Sequence, residues 1–450
     1  MSEHEKIPIR NTDGLALWAA CDAPYNPDDN KETRSVFKHD GDVITYSPSF
    51  RRLSNKSQIV IKPERHGHFR SRLTHTLEVM RTAESIGIPL GLNTNLIDAI
   101  ALGHDLGHSP FGHAGERAFQ MIMRNDVLPN CDQDKLKAIF QNIYKIENIG
   151  FESNGELIND HWLFHHAINS VRILQRKMRD VGDFTNDGIL KHGWSPWQLE
   201  NSNKFGIPKT YEGQVVAIAD QVAGINHDIE DILSSRQSLY TAESIRHELP
   251  AYISAEISLN FSKAQDILDQ WFLPVDADIR SAWMRKKRLQ AVINSVIKAS
   301  KSYLISAKVE SNEEAGNQEK ALCIEEDMGQ FLKGYEIFLR KNILDGPWFH
   351  NRDCAGGAIV QTVYSFFRFG REEDLPENIQ STMAKFRKSV DEPYDKDNHF
   401  RLFRDSAKNG KAQEIVEIIK AIDFVSGMTD DYIMNNHKVS LEYFNKPCAL

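Results

Sequence analysis

The sequence predicts an all-α protein with at most one short β-hairpin. Apolar residues recur at helical spacing through most of the chain, strand-like alternation is confined to two short runs, and no internal repeat or low-complexity segment interrupts the pattern. In chain order, FRSRLTHTLEVMRTAESIG sets Leu73, Leu77 and Met80 on one stripe and stops at Gly87 and Pro89. NLIDAIALGHDLG follows, with Leu96, Ile97, Ile100 and Ala101 at the same spacing. YEGQVVAIADQVAGINHDIEDILSS is apolar at Val215, Ile218, Val222 and Ile225. SLNFSKAQDILDQWFL, AWMRKKRLQAVINSVIKAS and AQEIVEIIKAIDFVSGM continue the pattern towards the C-terminus. SQIVIKP and GDVITYS alternate as strands do and suggest the hairpin. Residues 126–150 and 179–210 read as irregular connections, and SNEEAGNQE at 311–319 as an exposed loop. The division expected is an N-terminal segment (1–34), a catalytic core (35–235) and a helical C-terminal region (236–450).

Composition sets the class. The chain has 450 residues, 41% hydrophobic and 26% charged, which fits a globular protein with a sizeable core and is too apolar for a disordered one. The formal net charge of −9 argues against a general polyanion binder, so affinity for phosphate must be local. Five cysteines without a CxxC pair fit a reducing compartment and exclude a zinc ribbon or disulfide framework. The acidic N-terminus and the absence of a long apolar run point to a cytoplasmic protein with no membrane association.

The chemistry concentrates in HDLGHSPFGHAGE at 104–116, three His, one Asp and one Glu within thirteen positions. His75 lies on the helix before it and Asp220 in the middle of a later apolar helix. His75, His104, Asp105 and Asp220 make a mixed nitrogen and oxygen set suited to a divalent ion such as Mg²⁺, Mn²⁺ or another first-row metal. Adjacent residues on a helix diverge by about 100°. His104 and Asp105 can therefore share an ion only at a helix end, and Gly103 and Gly107 are expected to supply the backbone freedom. After the SPFG turn, His113 and Glu116 re-enter a helix three residues apart, on one face, suited to positioning water and moving protons. Taken alone, His75 would read as a core histidine and Asp220 as a paired buried acid; the joint pattern overrides both readings.

The H…HD…D pattern of His75, His104–Asp105 and Asp220 resembles that of the HD-domain metal phosphohydrolases. The blocks SPSFRRLSNKSQIV, FRSRLTHTLEVMRTAESI, ALGHDLGHSPFGHAGERAF and AIDFVSGMTDDY, in that order, resemble the bacterial deoxyguanosine triphosphate triphosphohydrolase family over about residues 34–435. The resemblance implies an HD-domain helical fold, a divalent metal, and hydrolysis of dGTP and other dNTPs to deoxynucleoside and triphosphate. It also implies a homo-oligomer, tetramer or hexamer, and a nucleotide or single-stranded DNA effector. Residue by residue, it assigns catalysis to His113 and Glu116 and the α-phosphate to Arg72. Gln58 would contact the sugar 3′-hydroxyl, and Asp228 the sugar as well. A further phosphate-side block is either FESN (151–154) or FHHAINSVRIL (164–174). The second is favoured, because it offers His166 and a Ser170-x-Arg172 ending, and Lys191 then becomes a β/γ-phosphate contact.

The run from Arg51 to Arg72 holds seven Lys or Arg, Arg52 among them, against one acid, Glu64, and suits a phosphate funnel. One position departs from the family: a Tyr that packs against the sugar is replaced by Gly224, which predicts weaker exclusion of ribonucleotides. The rival readings are an HD hydrolase of nucleoside monophosphates or cyclic nucleotides, and a nucleotide- or single-stranded nucleic-acid-binding protein with incidental catalysis.

Overall fold

The computed structural model describes residues 8–10, 16–18, 35–57, 70–132, 134–136, 163–177, 181–197, 205–234, 242–271, 282–306, 321–370, 377–391 and 397–436. The described chain is helical apart from one antiparallel hairpin, β1 (Pro8–Arg10) with β2 (Ala16–Trp18), in which Ile9 pairs with Leu17. The first helices are α1 (Val36–Thr45), α2 (Pro48–Arg52), α3 (Arg72–Gly87), α4 (Thr94–Gly103) and α5 (His113–Ile122). They are followed by α6 (His166–Lys177), α7 (Asp183–Leu190), α8 (Tyr211–Ser234), α9 (Ala242–Ile257), α10 (Phe261–Trp271) and α11 (Ala282–Ser306). The last are α12 (Glu326–Leu339), α13 (Pro347–Phe369), α14 (Glu377–Asp391), α15 (Asn398–Ser406), α16 (Ala412–Ser426) and α17 (Asp430–Asn436). Among the described residues no helix is long and apolar enough to cross a membrane.

The all-α expectation therefore holds, but the hairpin lies elsewhere. GDVITYS is not a strand: Gly41–Thr45 forms the second half of α1, where Ile44 and Gly41 are buried. The alternation there is too short to compete with helical packing on α4. Most of SQIVIKP lies outside the described residues, and its Ser57 makes an isolated bridge with Ser71. The 179–210 stretch is less irregular than expected, since it contains α7. The 311–319 loop lies outside the described residues.

The chain forms two compact units, both discontinuous in sequence. The first comprises Met1–Thr45, His75–His104 and Gly182–Phe349. Its core includes Leu96, Ile97, Ile100 and Ala101 of α4 and Val215, Ile218 and Val222 of α8, each at most 1% exposed and at the spacing the sequence shows. On α3 the expected stripe is not the buried face. Leu77 is 42% exposed, while Val79, Ala83 and Ile86 are fully buried together with His75 and Thr76. Polar residues on the inner face lower its apparent apolarity, so the stripe picks out Leu77, which is exposed, with Leu73 and Met80, which are half-buried.

The second unit comprises Tyr46–Thr74, Asp105–Val181 and His350–Leu450. A buried ion cluster ties its segments together: Arg172 of α6 donates to both carboxylate oxygens of Asp423 and to Asp397, each at 2.9 Å. Burial opposes the charge on Arg172, but the two carboxylates outweigh it and push its pKa well above the ordinary value.

Candidate active site

In the first unit, α4 is capped by Asn93, whose side chain accepts from the N–H groups of Asn95 and Leu96, and it ends at Gly103. His104 is the cap residue, so the HD pair sits at a helix end as expected. The glycines on either side act differently from the expectation, since neither adopts a positive φ. A Cβ at Gly103 would come within 2.4 Å of Ile189, and one at Gly107 within 2.2 Å of the His166 carbonyl and the Ser170 nitrogen. Close packing, and not backbone freedom, requires both.

His104 Nδ1 faces the Ala101 carbonyl at 2.7 Å. A carbonyl only accepts, so Nδ1 carries the proton and Nε2 the lone pair. That lone pair points at Asp220 Oδ1, 3.6 Å away, and His75 Nε2 approaches the same oxygen at 2.8 Å. The ligand atoms of His75, His104 and Asp220 all lie within 4.8 Å of one another. Burial opposes ionisation of Asp220, yet the adjoining His104 and His75 rings outweigh it and hold its carboxyl well below the usual range. Two imidazoles and a carboxylate converging in a largely buried space fit a divalent ion, and the His104 backbone hydrogen bond is the kind that orients a ligating imidazole. Thiolates are not among these groups, so the donor set is not that of a structural zinc site.

The same unit holds three residues assigned to substrate. Gly224 lies one turn beyond Asp220, and no atom of the described residues lies within 4 Å of a Cβ built there. Lys191 caps α7 and pairs with Asp187 at 2.7 Å. Asp228 lies half-buried on α8, close enough to Tyr335 to help burial push that phenol up.

The second unit gathers the other group. Arg72 is buried and donates to Asp105 Oδ2 at 2.9 Å, while its Nε has no hydrogen-bond partner among the described residues. Asp105 Oδ1 meets His108 Nε2 at 3.0 Å. Burial, then Arg72, push His108 down to about 3 against the pull of Asp105, so this imidazole is neutral near pH 7. Its ring stacks on His166, centroids 3.8 Å apart.

Glu116 is the centre of the group. Its carboxylate meets His113 Nδ1 at 3.0 Å and His166 Nδ1 at 3.2 Å, and it accepts from the His166 backbone N–H at 3.2 Å. That N–H opens α6, so the helix N-terminus favours the negative charge. Burial alone would raise Glu116; His165 and His166 nearby and the hydrogen bonds from His113 and His166 hold it well below the ordinary value. The His113 side chain is 66% exposed, whereas that of Glu116 is 5% exposed. A buried anion thus aims an accessible imidazole, the arrangement of a general acid or base with its orienting group.

The turn between the two motifs is tightly built. Phe111 and Gly112 both have positive φ, 59° and 55°. A Cβ at Gly112 would lie 2.9 Å from Arg72 Nη2, so glycine gives the guanidinium its room. Lys56, buried, donates to the carbonyls of His108 and Ser426, the latter at 3.1 Å. Burial, with Arg52 and Arg72 nearby, pushes its ammonium down to about 7. Arg52 itself donates to Ser49 at 3.0 Å, and its guanidinium is lowered by burial and by Arg176.

Of the residues named from the sequence, His75, His104 and Asp220 come together in the first unit, and Arg72, Asp105, His113, Glu116 and His166 in the second. Gln58 and the 151–154 alternative lie outside the described residues. Arg172, expected near phosphate, is instead committed to Asp397 and Asp423. Sequence reasoning gave no role to His108, Glu78 or His227. The signals were present: His108 is three residues after Asp105, Glu78 three after His75, and His227 seven after Asp220, each a same-face spacing.

The HD domain family model matches residues 72–225. The chain is 38% identical to the deoxyguanosinetriphosphate triphosphohydrolase-like protein of Caldanaerobacter subterraneus over 46% of its own length and 48% of the relative's. It is 40% identical to the one of Clostridium tetani over 44% of its length and 47% of the relative's. Both alignments span about half the length of the relatives. A protein of the same description from Cereibacter sphaeroides is 27% identical over 91% of this chain and 94% of the relative. The resemblance read from the motifs is thus borne out by similarity along nearly the whole chain.

Proposed function

We propose that the protein is a divalent-metal-dependent phosphohydrolase that converts deoxynucleoside triphosphates, dGTP among them, to deoxynucleoside and inorganic triphosphate. The observation that carries the reading is Glu116 gathering His113 and His166, in a chain whose His75, His104 and Asp220 converge as a donor set for a cation. The names of the similar proteins supply the nucleotide class.

His75, His104 and Asp220 would hold the ion, joined by Asp105, the residue that follows His104 in the chain. A bound divalent ion supplies Lewis-acid polarisation of a phosphate oxygen. The protein's own residues do the rest. Arg72 offers its unsatisfied Nε–H to the α-phosphate, with Asp105 fixing the plane of the guanidinium. Glu116 orients His113 and stabilises its protonated form. Water attacks the α-phosphorus, the P–O5′ bond breaks, and His113 delivers a proton to the departing 5′-oxygen. His166, held by the same carboxylate, helps position the water. Lys191 and Arg52 serve the phosphate tail, and Gln58, Asp228 and the space at Gly224 the sugar.

The test is product analysis with purified protein, Mn²⁺ or Mg²⁺ and each of the four dNTPs and GTP. Triphosphate as the primary product supports the assignment. Pyrophosphate or orthophosphate as the primary product would reject it.

A further inference from the structure

Within the first unit, α3 and α8 interlock through four side chains. His75 and Glu78 are three residues apart on α3, and Asp220 and His227 seven apart on α8, so each pair shares a helix face. The contacts alternate: Asp220 Oδ1 meets His75 Nε2 at 2.8 Å, His75 Nδ1 meets His227 Nδ1 at 3.0 Å, and His227 Nε2 meets the Glu78 carboxylate. His227 is 1% exposed, and the Glu78 side chain is 36% exposed at the outer end of the row.

We propose that His227 and Glu78 are a positioning pair that fixes the tautomer of His75, so that its Nε2 presents a lone pair to a divalent cation. The inference rests on the reading of His75, His104 and Asp220 as metal ligands and adds what prepares one of them. A carboxylate accepts, so the nitrogen of His227 that faces Glu78 carries the proton. In neutral His227 the other nitrogen, Nδ1, is then an acceptor. The only proton that can fill the 3.0 Å contact is the one on His75 Nδ1. His75 Nε2 is left bare, and with the bare Nε2 of His104 and the Asp220 carboxylate it makes three acceptors around one space. A cation relieves that convergence. Without the pair, His75 would instead protonate Nε2 and donate to Asp220, and metal would have to displace that proton.

Mn²⁺ titration of the metal-stripped full chain tests this, with wild type, His75→Ala, His227→Leu, His227→Gln and Glu78→Leu compared and folding checked by circular dichroism. His227→Leu should weaken Mn²⁺ binding by about 10–100-fold. His227→Gln should recover much of the loss, because an amide can accept from His75 and donate to Glu78 as the imidazole does. Equal losses in the Leu and Gln variants would mean that His227 acts only by filling space, and would overturn the proposal. Wild-type affinity in His227→Leu, with binding abolished in His75→Ala, overturns it while leaving the metal assignment intact. Wild-type affinity in His75→Ala removes the ligand assignment and the proposal with it. If His227→Leu does not fold, the partly exposed Glu78→Leu decides: a several-fold loss supports the pair, and unchanged affinity rejects it.

Discussion

Asp430 accepts a hydrogen bond from the backbone N–H of Phe111 at 2.9 Å, across 319 residues of chain. Its other carboxylate oxygen takes the backbone N–H of Ser57 at 2.9 Å and also the Ser57 hydroxyl. The acid at the start of α17 therefore fastens the left-handed turn that launches His113 and Glu116. Asp430→Ala should cost about 2–4 kcal/mol, since it strips buried donors of a charged acceptor. Denaturant unfolding measures this, and turnover should fall further than stability alone explains because the turn loosens. A variant with wild-type stability would remove Asp430 from this role.

Glu116→Gln keeps the shape of the side chain and removes the charge that orients His113 and His166. We expect kcat to fall by about 10²–10⁴-fold while bound metal is retained. Steady-state kinetics alongside metal analysis separates the two effects. A change confined to KM would assign Glu116 to binding.

Asp220→Ala should abolish the stabilisation that Mn²⁺ confers. In wild type, metal at about 100 times its Kd adds about 2.7 kcal/mol, seen as a higher Tm than in chelator. The variant should unfold at the same temperature with and without metal. A metal-dependent Tm in the variant would count against Asp220 as a ligand.

Gly224 leaves open space one turn after Asp220, with no described atom within 4 Å of a Cβ there. Gly224→Tyr should raise the ratio of kcat/KM for dGTP over GTP by about 10–200-fold, chiefly by penalising GTP. If wild type already rejects GTP by more than about 10⁴-fold, the open space has no part in sugar selection.

Asp98 gives the stability a pH dependence. Burial, then Glu84, push its carboxyl up to about 6 from an ordinary 3.8. Between these values the folded chain keeps a proton that the unfolded chain has released, so stability falls as pH rises from about 4 to about 6 and is level above. Because Asp98 is only half-buried, the loss is discounted for solvent screening to about 1 kcal/mol. Asp98→Asn should flatten that segment of the stability profile and raise Tm at pH 7. An unchanged slope would show that other groups cause it.

What the sequence by itself determined was the helical character, the core faces of α4 and α8, and the residue types of the site. These depend on local periodicity: apolar residues one turn apart bury together whatever the fold, and His104–Asp105 had to fall at a helix end because adjacent side chains diverge. The tertiary structure decided the matters that depend on partners distant in sequence. The buried face of α3 carries His75 and Thr76, so periodicity alone selected Leu77, which is exposed. Gly103 and Gly107 are small because of what packs against them, a cause invisible in the HD motif. Arg172 closes the block favoured for the phosphate side, yet its guanidinium is held by Asp397 and Asp423. His227 and Glu78 gained a role only when α3 and α8 met, because a tautomer is set by the neighbour on the far nitrogen, and that neighbour is 152 residues away.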